Sequence, residues 1–133
     1  MRWLFLSAQD IRAVTVGWGE NTALIKEETI PAAPEDYLNK INGFLVKERL
    51  SLKDFQSIIV VRGPGSFTSS RVITVIANTL AFALQLRVYG LINEKRLSAV
   101  ELLKEFNPTK NQITLFVVPE YDRAPHITWP QKT

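Results

Sequence analysis

The segment of this sequence best suited to chemistry is a glycine-rich hexapeptide, Gly63-Pro64-Gly65-Ser66-Phe67-Thr68. It joins a continuous apolar run, Ser57-Ile58-Ile59-Val60-Val61, to a stretch with helical character. Glycines let a chain turn sharply and approach another group closely. A helix N-terminus presents unpaired N–H groups that favour anions. A phosphate cradle is one reading, with nucleotide binding or hydrolysis as its function. The spacing is not that of a P-loop, because no lysine follows, and Thr68 stands where a dinucleotide fingerprint needs glycine. The same residues also make a structural turn closed by a hydroxyl cap, with Thr68, Ser69 or Ser70 as the N-cap of a helix starting near Ser69.

Other reactive groups are sparse. There is no cysteine, so disulfides, thiolate zinc sites and cysteine nucleophiles are excluded. His126 is the single histidine and has no second imidazole for a metal cluster. Asp10 and Glu20 fall in turns and Glu27-Glu28 in a strand, without the paired spacing of acid–base catalysis. Trp3, Trp18 and Trp129 read as core or edge aromatics. The residues therefore predict no catalytic set, no metal ligands and no cofactor.

The elements around the hexapeptide suggest one α/β lobe. The 133 residues suit a single domain. Apolar residues at 46% against 22% charged residues argue against a disordered chain. Three short extended runs (3–6, 11–18 and 22–30) with tight polar breaks predict an antiparallel meander. Pro34, with Glu35 and Asp36 in the first turn, opens an amphipathic helix over 34–48. Strand 57–61, a helix to Leu84, strand 87–91, a helix over 94–106 and strand 113–118 follow. That order is a mixed sheet with helices upon it, as in the ribonuclease H-like lobe of actin-like ATPases. The expected lobe is 1–118, with 119–133 as an edge strand or tail. No run approaches the roughly 20 apolar residues of a membrane span, and the opening residues lack a signal-peptide pattern. A soluble cytoplasmic protein is the expectation. The net charge of +3 is too mild to imply nucleic-acid binding by itself, although no acidic residue lies between Asp54 and Glu94 while Arg62, Arg71 and Arg87 do.

Arg62-Gly63-Pro64-Gly65-Ser66-Phe67-Thr68-Ser69-Ser70-Arg71 resembles the G-R-G-P-G-S-F-T-G-L-R signature of the bacterial TsaB (YeaZ) family. Leu50-Ser51-Leu52-Lys53-Asp54-Phe55 is similar to the family's L-S-L-x-D-L connector. Leu80-Ala81-Phe82-Ala83-Leu84-Gln85-Leu86-Arg87-Val88-Tyr89-Gly90-Leu91 is similar to its L-A-L-A-L-x-I-P-V-x-G-V segment. There are departures. Leu6-Ser7-Ala8-Gln9 stands where the family has I-D-T-S, so Ser7 replaces an acid that helps hold metal and phosphate in the wider superfamily. Ala33-Pro34-Glu35 stands for H-S-E. Tyr121-Asp122-Arg123 falls where the family carries a D-A-R-like motif. The family's second, smaller lobe is expected to be absent, and with it the cleft for a nucleotide. The resemblance implies a non-catalytic subunit of the machinery that makes N6-threonylcarbamoyladenosine (t6A) in tRNA. It implies a TsaD-like catalytic subunit as partner, a TsaE-like ATPase alongside, and tRNA contact only indirectly.

The second helix adds a physical expectation. Ten of the thirteen residues in 72–84 are apolar. At 100° per residue, Ile73, Ala77, Leu80, Ala81 and Leu84 take one side and Val72, Val75, Ile76, Thr79 and Ala83 nearly the other. A helix lying on a sheet buries one side. Exposing the rest forgoes roughly 1.5–3 kcal/mol per large side chain, so a covering surface is expected, supplied by the first helix or by a partner. The resemblance implies a helix bundle with TsaD or with a second copy. Its interface would comprise Tyr37, Ile41, Phe44 and Leu45 together with Val72, Val75, Ile76 and Thr79. Self-association without a tRNA role is the remaining alternative.

Overall fold

The computed structural model describes residues 1–106 and the backbone of 112–113. Six strands form one sheet: β1 (Arg2–Ser7), β2 (Ala13–Glu20), β3 (Ala23–Pro31), β4 (Ser57–Gly63), β5 (Arg87–Ile92) and β6 (Gln112–Ile113). Their order is β3-β2-β1-β4-β5-β6. The first three are antiparallel neighbours, and β1, β4 and β5 run parallel with β6 antiparallel at the edge. This is the expected α/β mixed sheet, a ribonuclease H-like lobe with a three-strand meander followed by alternating helices and strands.

β1 and β4 are apolar over Trp3–Leu6 and Ile58–Val61 because both faces are covered there. Leu4, Leu6, Ile58 and Val60 point to one face, which carries α1 (Tyr37–Lys47) and α2 (Phe67–Leu84). Trp3, Phe5, Ile59 and Val61 point to the other, beneath α3 (Ala99–Lys104). The indole of Trp3 is buried and donates to the Asn21 carbonyl at 2.9 Å. Trp18 lies partly open, donating to Glu48 at 3.1 Å under the Arg2 guanidinium.

Several boundaries differ from expectation, each for a local reason. The first helix opens as a 3-10 turn over Pro34–Asp36 before α1 begins at Tyr37. α2 begins at Phe67 rather than near Ser69. Ser66 is its cap, with Oγ accepting from the Ser69 N–H at 3.1 Å, while Ser69 and Ser70 are buried inside the first turn. α3 begins at Ala99 rather than Glu94, because Asn93 Oδ1 accepts from the Leu97 N–H at 2.8 Å and closes a turn ahead of the Ser98 cap. The strand expected over 113–118 is described only at its start. The tail 119–133, with Tyr121, Asp122, Arg123, His126 and Trp129, lies outside the described residues.

α2 is long and apolar enough to cross a bilayer by length and composition. In the sequence Thr74, Asn78 and Thr79 interrupt the apolar run within this helix. Its inner stripe of Ile73, Thr74, Ala77 and Ala81 is buried against the sheet. The surplus apolarity lies on its outer face.

Candidate functional site

The carboxyl ends of the three parallel strands converge on the Gly63–Thr68 loop. In open α/β sheets this is where ligands bind. Gly63 leaves β4 at φ 132°, a backbone region that side chains avoid, and the Gly63–Pro64 peptide is cis. Gly65 then lies directly against the end of β1. A Cβ built there would sit 2.9 Å from both Cα and the carbonyl oxygen of Gln9 and 2.8 Å from Ser70 Oγ. We therefore expect Gly65→Ala to destabilise the chain by about 1–3 kcal/mol, since backbone must move to admit the methyl. A urea unfolding midpoint measures it.

The loop's polar groups turn inward. The Ser66 N–H donates to the Gln9 carbonyl at 3.2 Å, and the Ser70 N–H to the Ser66 carbonyl at 3.0 Å. With the Ser69 N–H held by Ser66 Oγ, these three donors of the loop and first helical turn are all taken by the protein. The hydroxyls of Ser66 and Ser69 are also hydrogen-bonded to each other. Thr68, Phe67 and Arg71 are exposed on the outer rim. The geometry is that of a capped structural turn.

Two residues that sequence reasoning missed complete the arrangement. The Gln9 amide nitrogen donates to the Pro64 carbonyl at 2.6 Å and the Asn93 carbonyl at 2.9 Å. Asn93 Nδ2 donates to Gln9 Oε1 at 3.1 Å and the Leu97 carbonyl at 2.9 Å. The Asn93 N–H reaches the Gly63 carbonyl at 2.8 Å. The one available signal was a polar residue close after each of two apolar strands, Gln9 two positions past β1 and Asn93 directly after β5.

Beside this cluster lies a hollow of about 370 Å³ lined by Ser7, Asp10, Thr15, Glu27, Thr29 and Ser98, among others. Asp10 is committed to its turn. Hydrogen bonds from the Arg12 side chain and N–H, at 2.9–3.2 Å, hold its carboxyl below the ordinary range. The metal and phosphate that the wider superfamily binds here do not fit these residues. A hydroxyl, Ser7, stands where a hard carboxylate oxygen is needed, and the N–H groups of Ser66, Ser69 and Ser70 are already held by the protein. Among the described residues, no three His, Cys, Asp or Glu side chains come together as a metal site.

The expected interface residues divide. Tyr37, Ile41, Phe44 and Leu45 are buried in the core between α1 and the sheet, so they cannot face a partner. Burial pushes the Tyr37 phenol above its ordinary range, and its hydroxyl reaches the Ile11 carbonyl at 3.4 Å. The helix-1 part of the expected set is thus corrected: its periodicity marks the core stripe. On α2, Val75 is 53% exposed and Thr79 is exposed, while Val72 and Ile76 are partly buried against the core. Phe82, one heptad beyond Val75, is 88% exposed. On α1 the outward apolar residues are Leu38 and Val46, at 53% and 67%.

Comparisons with known proteins agree with this geometry. A family model described as TsaD, tRNA N6-adenosine threonylcarbamoyltransferase, matches residues 33–118. The chain is 29% identical over 86 residues to the tRNA threonylcarbamoyladenosine biosynthesis protein TsaB of Bacillus subtilis (strain 168), covering 58% of this chain and 38% of that protein. The structure of YeaZ from Pseudomonas aeruginosa superposes with a TM-score of 0.59 at 26% identity, over 69% of this chain and 44% of that one. A crystal structure titled as an uncharacterized protein with similarity to peptidase YEAZ from Pseudomonas aeruginosa gives the same TM-score and identity, covering 69% and 43%. The chain thus spans about two-fifths of the length of these relatives. It belongs to the family this model describes and is a TsaB/YeaZ-like member of it.

Proposed function

We propose that the chain is a non-catalytic subunit of the cytoplasmic machinery that forms t6A in tRNA. It docks a TsaD-like catalytic subunit on its helical face, with a TsaE-like ATPase joining the assembly and tRNA held by the partners. The observation that carries this reading is the outer face of α2, where Val75, Thr79 and Phe82 stand exposed at one-heptad spacing. Such a seam is the pattern of a helix that packs against another helix. A separate groove of about 600 Å³ lies along α1, with Leu38, Asn42, Leu52, Glu35 and Asp36 among its lining residues. The family membership supports t6A synthesis as the setting, and the inward-turned loop supports a subunit without nucleotide chemistry of its own.

The test is genetic and biochemical. Deleting the gene is expected to remove t6A from tRNA digests, and the chain is expected to co-elute with a TsaD-like protein in gel filtration. Unchanged t6A together with a lone peak would overturn the reading. Titration with ATP and magnesium is expected to give no saturable heat. Micromolar binding by the isolated chain would favour the rival, a small nucleotide-binding enzyme built on Gly63–Thr68. A dimer unaltered by added TsaD would instead identify a self-associating homologue.

A further inference from the structure

We propose that Gln9 and Asn93 form an amide latch across the strand ends, so that the signature loop is held by the protein's own side chains rather than by a small anion. The hydrogen-bond accounting carries this. A primary amide has two N–H donors. Both donors of Gln9 are used, on the Pro64 and Asn93 carbonyls, and both donors of Asn93 are used, on Gln9 Oε1 and the Leu97 carbonyl. Asn93 Oδ1 accepts from the Leu97 N–H, and the Asn93 N–H is given to the Gly63 carbonyl. The circuit ties together the ends of β1, β4 and β5, segments 55 and 84 residues apart in sequence. It leaves no side-chain amide donor of Gln9 or Asn93 directed at a guest. Gly65 supports it by allowing the loop to lie on the Gln9 backbone. Polar side chains that satisfy one another in a shared circuit favour a single conformation. The latch therefore sets the loop from which α2 departs.

Amide hydrogen exchange on the isolated chain, followed residue by residue with NMR, tests the latch without reference to any partner. Gln9→Ala and Asn93→Ala are each expected to speed exchange at the Ser66 and Asn93 amides at least about tenfold, since each removes several shared hydrogen bonds. Exchange at Ile41 and Leu45 in α1 is expected to stay unchanged. The double variant is expected to be no worse than the more severe single one, because both break the same circuit. Inorganic phosphate added to the native chain is expected to leave the Ser66 and Ser69 amide shifts in place. Unaltered exchange in the single variants, additive losses in the double, acceleration spread evenly over the whole chain, or a saturable phosphate shift at the loop would each overturn the proposal. Should Gln9→Ala fail to fold, Gln9→Asn, which shortens the reach to Pro64, gives the same readout.

Discussion

Phe82→Glu and Val75→Glu are expected to leave the chain folded and to abolish its association with a TsaD-like subunit. Neither side chain packs into the core, and substitutions at such exposed positions usually alter stability by no more than about 0.5 kcal/mol. The effect on binding should be far larger. An aromatic anchor at the centre of an interface contributes on the order of 2–4 kcal/mol, or roughly 30- to 1,000-fold in affinity. A carboxylate in its place would also be buried without a partner. Calorimetric titration measures the affinity, and circular dichroism melting confirms the fold. Thr79→Ala, at the centre of the seam, removes little area and should weaken binding only modestly. Native affinity in both glutamate variants would place the interface elsewhere and leave the exposure of Phe82 unexplained.

That face was half legible in the sequence. The all-round apolarity of 72–84 announced that α2 needs cover on two sides, and the described residues cover the inner one, through Ile73, Ala77 and Ala81. Phe82 was not singled out, because helical periodicity counts apolar residues without saying which stripe meets the sheet. The same limit misplaced the interface on α1. Tyr37, Ile41, Phe44 and Leu45 recur at the spacing of any buried stripe, and a core stripe and a docking stripe share one period. Only the sheet decides between them, by taking these four into the core cluster that also holds Val14 and Val16. Leu38 and Val46, which remain outside, are isolated apolar positions in the sequence.

The glycine loop divides in the same manner. Its place between a buried strand and a helix was evident from Ile58–Val61 and the hydroxyl residues after Phe67. Its closure was not, since Gln9 reaches Pro64 from 55 residues away and pairs with Asn93, 84 residues distant from it. The helix start moved to Ser66–Phe67 for a related reason. Ser66, Thr68, Ser69 and Ser70 are all chemically able to cap, and tertiary burial of Ser69 and Ser70 leaves Ser66 with the role.

Phe44→Ala is expected to destabilise the chain by about 3–5 kcal/mol, a large part of the roughly 5–15 kcal/mol that holds a domain of this size together. Phe44 is almost wholly enclosed within the cluster that joins α1 to β1, β2 and β4. The loss combines the transfer of a phenyl group back to water with a cavity that a close-packed layer cannot collapse around. Urea denaturation followed by circular dichroism reads the change as a lowered midpoint. Any loss of partner binding should then follow from unfolding and be recovered where the variant is held folded, at low temperature or with excess partner. Leu38→Ala is the control on the same helix, expected within about 0.5 kcal/mol of the native chain because its side chain stands in solvent. The pair separates core from interface on α1. A Phe44→Ala chain with native stability and lost binding would return the buried stripe to the interface. A strongly destabilised Leu38→Ala chain would show that α1 rests on the sheet by a different face.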